Sequence, residues 1–433
     1  MRTPLWSKGY TTDDFVDRYT VGDDRALDLR LAAHDIAGSR AHAVMLAEAG
    51  LISGEDAAKL TGALDALADE VAAGEFAIGP EHEDIHSKLE HELVARVGEA
   101  GKRIHTARSR NDQVLTALHL FAGEELAGLD AELGALFARL LALAEEHAAL
   151  PLPGYTHLQV AMPSSFGLFF GGYAEAFVDD RTLVTAARRI ADQNPLGSGA
   201  GYGSGFPIDR ARTTELMGLA RTRVVATSAQ LSRGKLEWTV AMACAGVCAT
   251  LSRLAADMCL YMSENYGFVR FPRELTTGSS IMPHKRNPDV WEVMRARCAL
   301  VLAAPAQAAT LLAGLPSGYH RDLQETKGLL VDALDRTREA LRAAAFMLRH
   351  VEPATGITDD PRYDLLFTVE EVTRRVTAGE TFRDAYRAVG EAVEDGSYRA
   401  RRELDHTHLG SLGRLGLDEV RRKWAAEDYR RQE

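Results

Sequence analysis

Strict alternation of apolar and polar residues is missing from this sequence. Over 433 residues no run of useful length repeats with a period of two, so a protein built on sheets is not expected. Cysteine is scarce. Cys244, Cys248, Cys259 and Cys298 all sit inside apolar helical patterns. None of their spacings resembles a zinc ribbon or a redox pair, and Cys244 and Cys248, one helical turn apart, read as buried thiols. Positive charge is in deficit: 50 Lys and Arg against 62 Asp and Glu give a net charge of −12. That balance argues against a nucleic-acid or membrane-surface partner. It leaves room for a small anionic substrate, which feels the local field. No apolar signal core follows Met1-Arg2-Thr3-Pro4. The most apolar run, 240–251, is about twelve residues and too short to span a bilayer. A reduced, cytoplasmic protein is expected, with no metal or cofactor.

Helical periodicity is abundant. Residues 1–28 lack it, but 29–51 reads as a helix stopped near Gly50, and 54–73 as a second, with Leu60, Leu64, Leu67 and Val71 on one side. A long helix runs from Val114 to Pro151, carrying Leu118, Phe121, Leu129, Leu133, Leu136, Leu140 and Leu143. Others are expected over 163–194, 228–265, 289–312 with a bend at Pro305, and from the 315–327 segment to about His350. Shorter helices, split by glycines, fill 351–433. Such long helices cannot all cover their apolar faces within one chain, so association with further copies is expected.

Polar inserts separate these helices. The densest is Gly278-Ser279-Ser280-Ile281-Met282-Pro283-His284-Lys285-Arg286-Asn287-Pro288. It combines hydroxyls, a lysine and an amide, which suits an anion site beside a base; a solvated loop before a helix is the plainer reading. A second insert, from Gly101 to Val114, contains Arg108-Ser109-Arg110-Asn111 and opens a long helix. A helix start with spare donors suits a carboxylate or phosphate, and equally a capped, solvated turn. A third, Tyr155-Thr156-His157-Leu158-Gln159, follows a Pro-Gly turn at 151–154. The histidines His82, His86 and His91 match no metal-ligand spacing and read as part of an acidic helix start. The glycine-rich loop 195–207 fits neither nucleotide fingerprint.

The insert at 278–288 resembles the signature of the fumarase/aspartase superfamily, whose members release fumarate from a substituted succinate. Within it the chain resembles the argininosuccinate lyase family. Four blocks carry that likeness: Glu83-Asp84-Ile85-His86, the run from His105 to Gln113, Pro153-Gly154-Tyr155-Thr156-His157-Leu158-Gln159, and the run from Tyr319 to Lys327. The resemblance covers roughly residues 10–390. It implies an all-α, three-domain fold (1–107, 108–350, 351–433) with a central long-helix bundle, assembling as a homotetramer whose sites draw on several subunits. It further implies elimination of argininosuccinate to arginine and fumarate, an arginine-biosynthesis step, without a cofactor.

By the same resemblance Ser279 takes the Cβ proton and His157 does acid/base work, with Thr156 binding substrate. Ser109, Arg110 and Asn111 hold the fumaryl carboxylate, while Lys285 and Asn287 hold the developing dianion. Tyr319, Gln324 and Lys327 contact the argininosuccinate, Asp28 lies at its arginine end, and His86 lines the site. His284 and Arg286 read as in adenylosuccinate lyases, which makes that enzyme, or another fumarate-releasing lyase of the superfamily, the alternative. Where the family carries a serine near the arginine end, this chain has Asp24.

Overall fold

The computed structural model describes residues 13–429. Its helices are α1 (Asp14–Val21), α2 (Asp24–Glu48), α3 (Gly54–Ala72), α4 (Ile85–Val97), α5 (Arg110–Glu146), α6 (Phe166–Ala191), α7 (Arg210–Leu216), α8 (Ala226–Leu231), α9 (Lys235–Met262), α10 (Asp289–Leu312), α11 (Thr326–Leu348), α12 (Thr368–Thr377), α13 (Phe382–Glu394) and α14 (Leu417–Ala426). The all-α expectation holds, and the long helices fall within a few residues of where periodicity puts them. Pro305 is accommodated inside α10.

Three local expectations need correction. First, the described part of the stretch read as aperiodic is helical. Asp13 caps α1 by accepting from the Phe15 amide at 2.9 Å, and Gly22, at φ 52°, ends it. The pattern is hidden because Phe15 and Tyr19 stay exposed instead of marking a buried face. Second, the helix expected over 228–265 breaks between α8 and α9. Gly234 takes a left-handed φ of 78°, and its amide donates to Glu237 Oε2 at 2.7 Å, which caps the new helix.

Third, the segment read as a turn and a polar insert is a β-hairpin. Strand β1 (Pro151–Thr156) pairs antiparallel with β2 (Gln159–Ser165), and the Thr156–Gln159 pair closes a loop made of His157 and Leu158 alone. Both loop residues have positive φ, 52° and 58°, as a type I′ turn demands. Prolines at 151, 153 and 163 obscured the strands, and the tip lacks the usual Asn-Gly signal.

The chain divides into two compact units. Unit 1 holds the residues to Leu129, 183–245 and 301–336; unit 2 holds 130–182, 246–300 and 337 onward. In unit 1, α2, α3 and α4 pack around Ile36, Met45, Leu46, Leu60, Leu64, Leu67, Leu89 and Leu93. Each such leucine stabilises the fold by about 1.5–3 kcal/mol relative to exposure. In unit 2, Tyr155, Phe169, Tyr261, Tyr266, Phe268 and Tyr363 form an aromatic cluster, and the Tyr155 hydroxyl bonds that of Tyr363 at 3.2 Å. This cluster holds the hairpin at Tyr155, one pair inside its turn, and leaves the turn residues themselves in solvent.

The stretch Ala226–Met262 is long and apolar enough to cross a membrane by length and composition, a wider span than the run at 240–251. Its buried residues Leu236, Val240, Cys244, Val247, Leu251, Leu254 and Met258 recur at helical spacing, the pattern of a core helix.

Candidate active site

One face of α2 is unusual. Asp28, Asp35, Ser39 and His42 are all buried, at spacings of seven, four and three, which aligns them along one side of the helix. Buried carboxylates at such spacing require partners. The turn before α4, the start of α5 and the segment 319–327 supply them.

These elements enclose a cavity of about 150 Å³ lined by Asp24, Asp28, Glu83, Asp84, His86, Arg110, Asn111, Val114, Arg233, Tyr319, Arg321, Gln324 and Lys327. The structure thus gathers seven of the expected residues, Asp28, His86, Arg110, Asn111, Tyr319, Gln324 and Lys327, at one place in unit 1. Lys327 is buried; its ammonium donates to Asp28 Oδ1 at 2.7 Å and also pairs with Asp24. Asp28 further accepts from the Ile85 amide at 3.1 Å. Burial pushes the Asp24 carboxyl above the usual range, and Asp28 beside it adds to that, against the pull of Lys327. Gln324 Nε2 donates to the Thr20 carbonyl at 2.9 Å.

The start of α5 is a platform tied down by its own cap. Ser109 Oγ accepts from the Asn111 amide at 3.2 Å, and Asp112 Oδ1 accepts from the Ser109 amide at 2.9 Å. Ala107, at φ 59°, turns the chain into this cap. Arg110 reaches Asp84 Oδ2 at 3.1 Å and Glu83 Oε2 at 3.3 Å, while Arg321 reaches Glu83 Oε1 at 3.2 Å. Asp84 also accepts from the Ser87 amide at 2.8 Å, capping α4. Burial raises its carboxyl, but His86, Arg110 and the bonds from Ser87 outweigh this and hold it low. The second oxygen of Asp112 takes the amides of Gly197 and Gly199, at 3.0 and 2.8 Å. The glycine-rich loop therefore wraps a buried carboxylate, and its left-handed glycines allow two amides to converge on one oxygen.

Thr156, His157, Ser279, Lys285 and Asn287 belong to unit 2 and are not among the residues lining this cavity. Thr156 and His157 stand exposed at the hairpin tip. Ser279 lies on the loop before α10, where its Oγ accepts from the Met282 amide at 3.1 Å. Asn287 closes that loop. Its amide nitrogen donates to the Thr277 carbonyl at 2.8 Å and its Nδ2 to the Gly278 carbonyl at 3.1 Å. Lys285 and Ile281 are exposed, Ile281 by 83%.

The family profile described as Lyase matches residues 9–303. The argininosuccinate lyase of Parabacteroides distasonis is 48% identical over 96% of this chain and 93% of its own length. That of Stenotrophomonas maltophilia is 40% identical over 98% of this chain and 99% of its own. The chain belongs to the argininosuccinate lyase family. Among solved structures, a class II fumarase from Schistosoma mansoni is similar with a TM-score of 0.74 at 17% identity, over 91% of each chain. An EDDS lyase variant with bound fumarate is similar with a TM-score of 0.71 at 21% identity, over 97% of this chain and 81% of its own. These likenesses show that the chain shares the fold of those two proteins. As a member of the argininosuccinate lyase family, the chain is a carbon–nitrogen lyase.

Sequence reasoning missed Asp35, Asp112, Glu83 and Arg321 as parts of the site. Asp35 had a readable signal in its seven-residue spacing from Asp28, which puts two carboxylates on one apolar helix face. The Asp112 bonds to a loop 85 and 87 residues away had none.

Proposed function

We propose that this chain is an argininosuccinate lyase that cleaves argininosuccinate reversibly to L-arginine and fumarate by β-elimination. The observation that carries this is the 48% identity, over nearly the full length, to an argininosuccinate lyase. The cavity supports it. Two carboxylates around one buried ammonium at Lys327 suit a zwitterionic amino-acid end, and the α5 platform with Arg110 and Asn111 suits a dicarboxylate end. Relatives of the same name at 40–48% identity favour argininosuccinate over adenylosuccinate.

The chemistry follows from charge. Removing a proton beside a carboxylate gives an aci-carboxylate carrying an extra negative charge. Fixed donors aimed at it, Lys285, Asn287 and loop amides, lower the barrier by several kcal/mol each, roughly 3 for one well-placed donor. Ser279 is the base, activated by the Lys285 charge and by exclusion of water when the loop closes. Asn287 Nδ2 carries two N–H groups, directed at the Gly278 carbonyl at 3.1 Å and the Thr277 hydroxyl at 3.4 Å, so one of these bonds gives way when Nδ2 donates to substrate. His157, with Thr156 beside it, serves the departing nitrogen. The guanidinium can leave as neutral guanidine, so an acid there assists without being obligatory.

The complete site is a multi-subunit one, in a cytoplasmic homotetramer. Supporting this, α10 leaves Val293 and Leu300, seven residues apart on one side, exposed by 48% and 57%, a second apolar stripe beside its buried face. Fumarate release, followed by its ultraviolet absorbance with argininosuccinate and adenylosuccinate side by side, tests the reading. Release from argininosuccinate alone is expected; release from adenylosuccinate alone overturns it.

A further inference from the structure

We infer that Asp35 is a positioning residue that holds His86 as a doubly protonated imidazolium in the cavity wall, so that its Nε2–H is a cationic donor to a substrate carboxylate. This rests on the lyase reading only for the identity of that carboxylate.

His86 Nδ1 lies 2.5 Å from Asp35 Oδ2, and both residues are buried. Asp35 is not part of the cavity lining, whereas His86 is. With Nδ1 committed inward, Nε2 is the ring nitrogen left for the cavity. Asp35 is itself over-determined. Its other oxygen accepts from Gln113 Nε2 at 2.7 Å and from Ser39 Oγ at 3.2 Å, and Arg108 bonds Ser39 Oγ at 2.8 Å behind it. A carboxylate with that many donors stays ionised and fixed in place.

His86 occupies the first turn of α4, where the helix dipole opposes a cation. Burial opposes it as well. The counterweight is a ring of carboxylates: Asp35 and Asp28 on α2, and Asp84 ahead of α4. Against them stands His105, on the 3-10 turn Gly98–His105 before α5, while Arg108 acts on Asp35 and helps to keep that carboxylate ionised. The carboxylates win: the imidazole is held above its usual range and the Asp35 carboxyl below its own, the two directions of one ion pair. Arg110, on the same wall, is engaged by Glu83 and Asp84. Among the described residues no carboxylate bonds the outward N–H of His86, so the pinned imidazolium stands in the cavity wall as a cationic donor. It would be most effective where the substrate carboxylate gains charge on deprotonation.

Asp35→Asn retains an acceptor for Nδ1 and removes the charge. Histidine-labelled protein, with His86→Gln to assign the signal, reports the His86 protonation state by NMR. Imidazolium is expected in the wild-type chain at about pH 7.5, and neutral imidazole in Asp35→Asn. Steady-state kinetics of Asp35→Asn should show kcat/KM down about tenfold or more at that pH, recovering towards about pH 6 as the ring regains its proton. A neutral His86 in the wild type overturns the inference, as does an Asp35→Asn profile parallel to wild type at every pH. If Asp35→Asn does not fold, the wild-type titration decides alone. If the chain releases no fumarate from argininosuccinate, the lyase reading fails, and the NMR state of His86 with and without added fumarate still tests the inference.

Discussion

The carboxylate of Asp112 accepts the amide of Gly199 at 2.8 Å across 87 residues of chain, and with it ties the glycine-rich loop to the start of α5. Burial pushes this carboxyl up to about 6, against the pull of the amides that bond it. Because the folded value lies above the unfolded one of about 3.9, the folded chain holds the proton longer. The contribution to stability is present below about pH 4 and is lost as pH rises through about 6. Relative to Asp112→Asn, the wild-type chain should lose up to about 3 kcal/mol across that window. Urea unfolding of both proteins at matched concentration and several pH values measures it; a pH-independent difference would refute it.

Lys327 pairs with two carboxylates at once, the buried Asp28 and the partly buried Asp24. Lys327→Met should therefore strand Asp24 and Asp28, lowering stability by about 3–5 kcal/mol. Changing all three to apolar residues should restore most of the stability and none of the substrate binding. Chemical denaturation and KM for argininosuccinate separate the two effects.

His157 occupies a left-handed position. Asn tolerates that geometry, so His157→Asn should keep the melting temperature while kcat falls by about 10²–10⁴. His157→Val should also destabilise the hairpin, by about 1–2 kcal/mol. Equal melting temperatures for the two variants would contradict the turn assignment.

Ser279→Ala should abolish turnover, by about 10²–10⁴ in kcat, with KM little changed. Asn111→Ala removes a group from the cavity and should be inactive for a separate reason. Co-expressing the two inactive chains should regenerate activity, because a mixed assembly can combine an intact cavity from one copy with an intact loop from another. Verified mixed oligomers without activity would rule out a shared site.

Long helices were legible because burial is periodic. Leu118, Phe121, Leu129, Leu133, Leu136 and Leu140 are all buried on α5 as their spacing demands. The hairpin was not, because its turn uses His157 and Leu158 where local chemistry predicts Asn-Gly; tertiary packing under Tyr155 overrides the local preference. The break at Gly234 falls in the polar run Ser232-Arg233-Gly234-Lys235, and the expected helix runs straight through it because apolar residues resume at Leu236. In the site, Arg110, Asn111 and Gln324 were singled out because polar blocks concentrate chemistry in sequence, while Glu83 and Arg321 in the same kind of block were passed over. Asp35 escaped because its partners, His86 and Gln113, lie 51 and 78 residues away. Only packing brings such groups together, and one-dimensional spacing carries no record of it.

The second apolar stripe on α10 also bears on how the protein survives dilution. Among the described residues Leu300 and Val293 are left about half uncovered, at 57% and 48% exposure. On the assembly proposed above, a newly made copy is an adhesive intermediate whose lifetime depends on how soon it meets another. Its melting temperature would then rise with concentration, as it does wherever association and folding are linked. A dilute sample could inactivate by dissociation at temperatures where a concentrated one is unaffected, so durability would be a property of the population rather than of any one molecule.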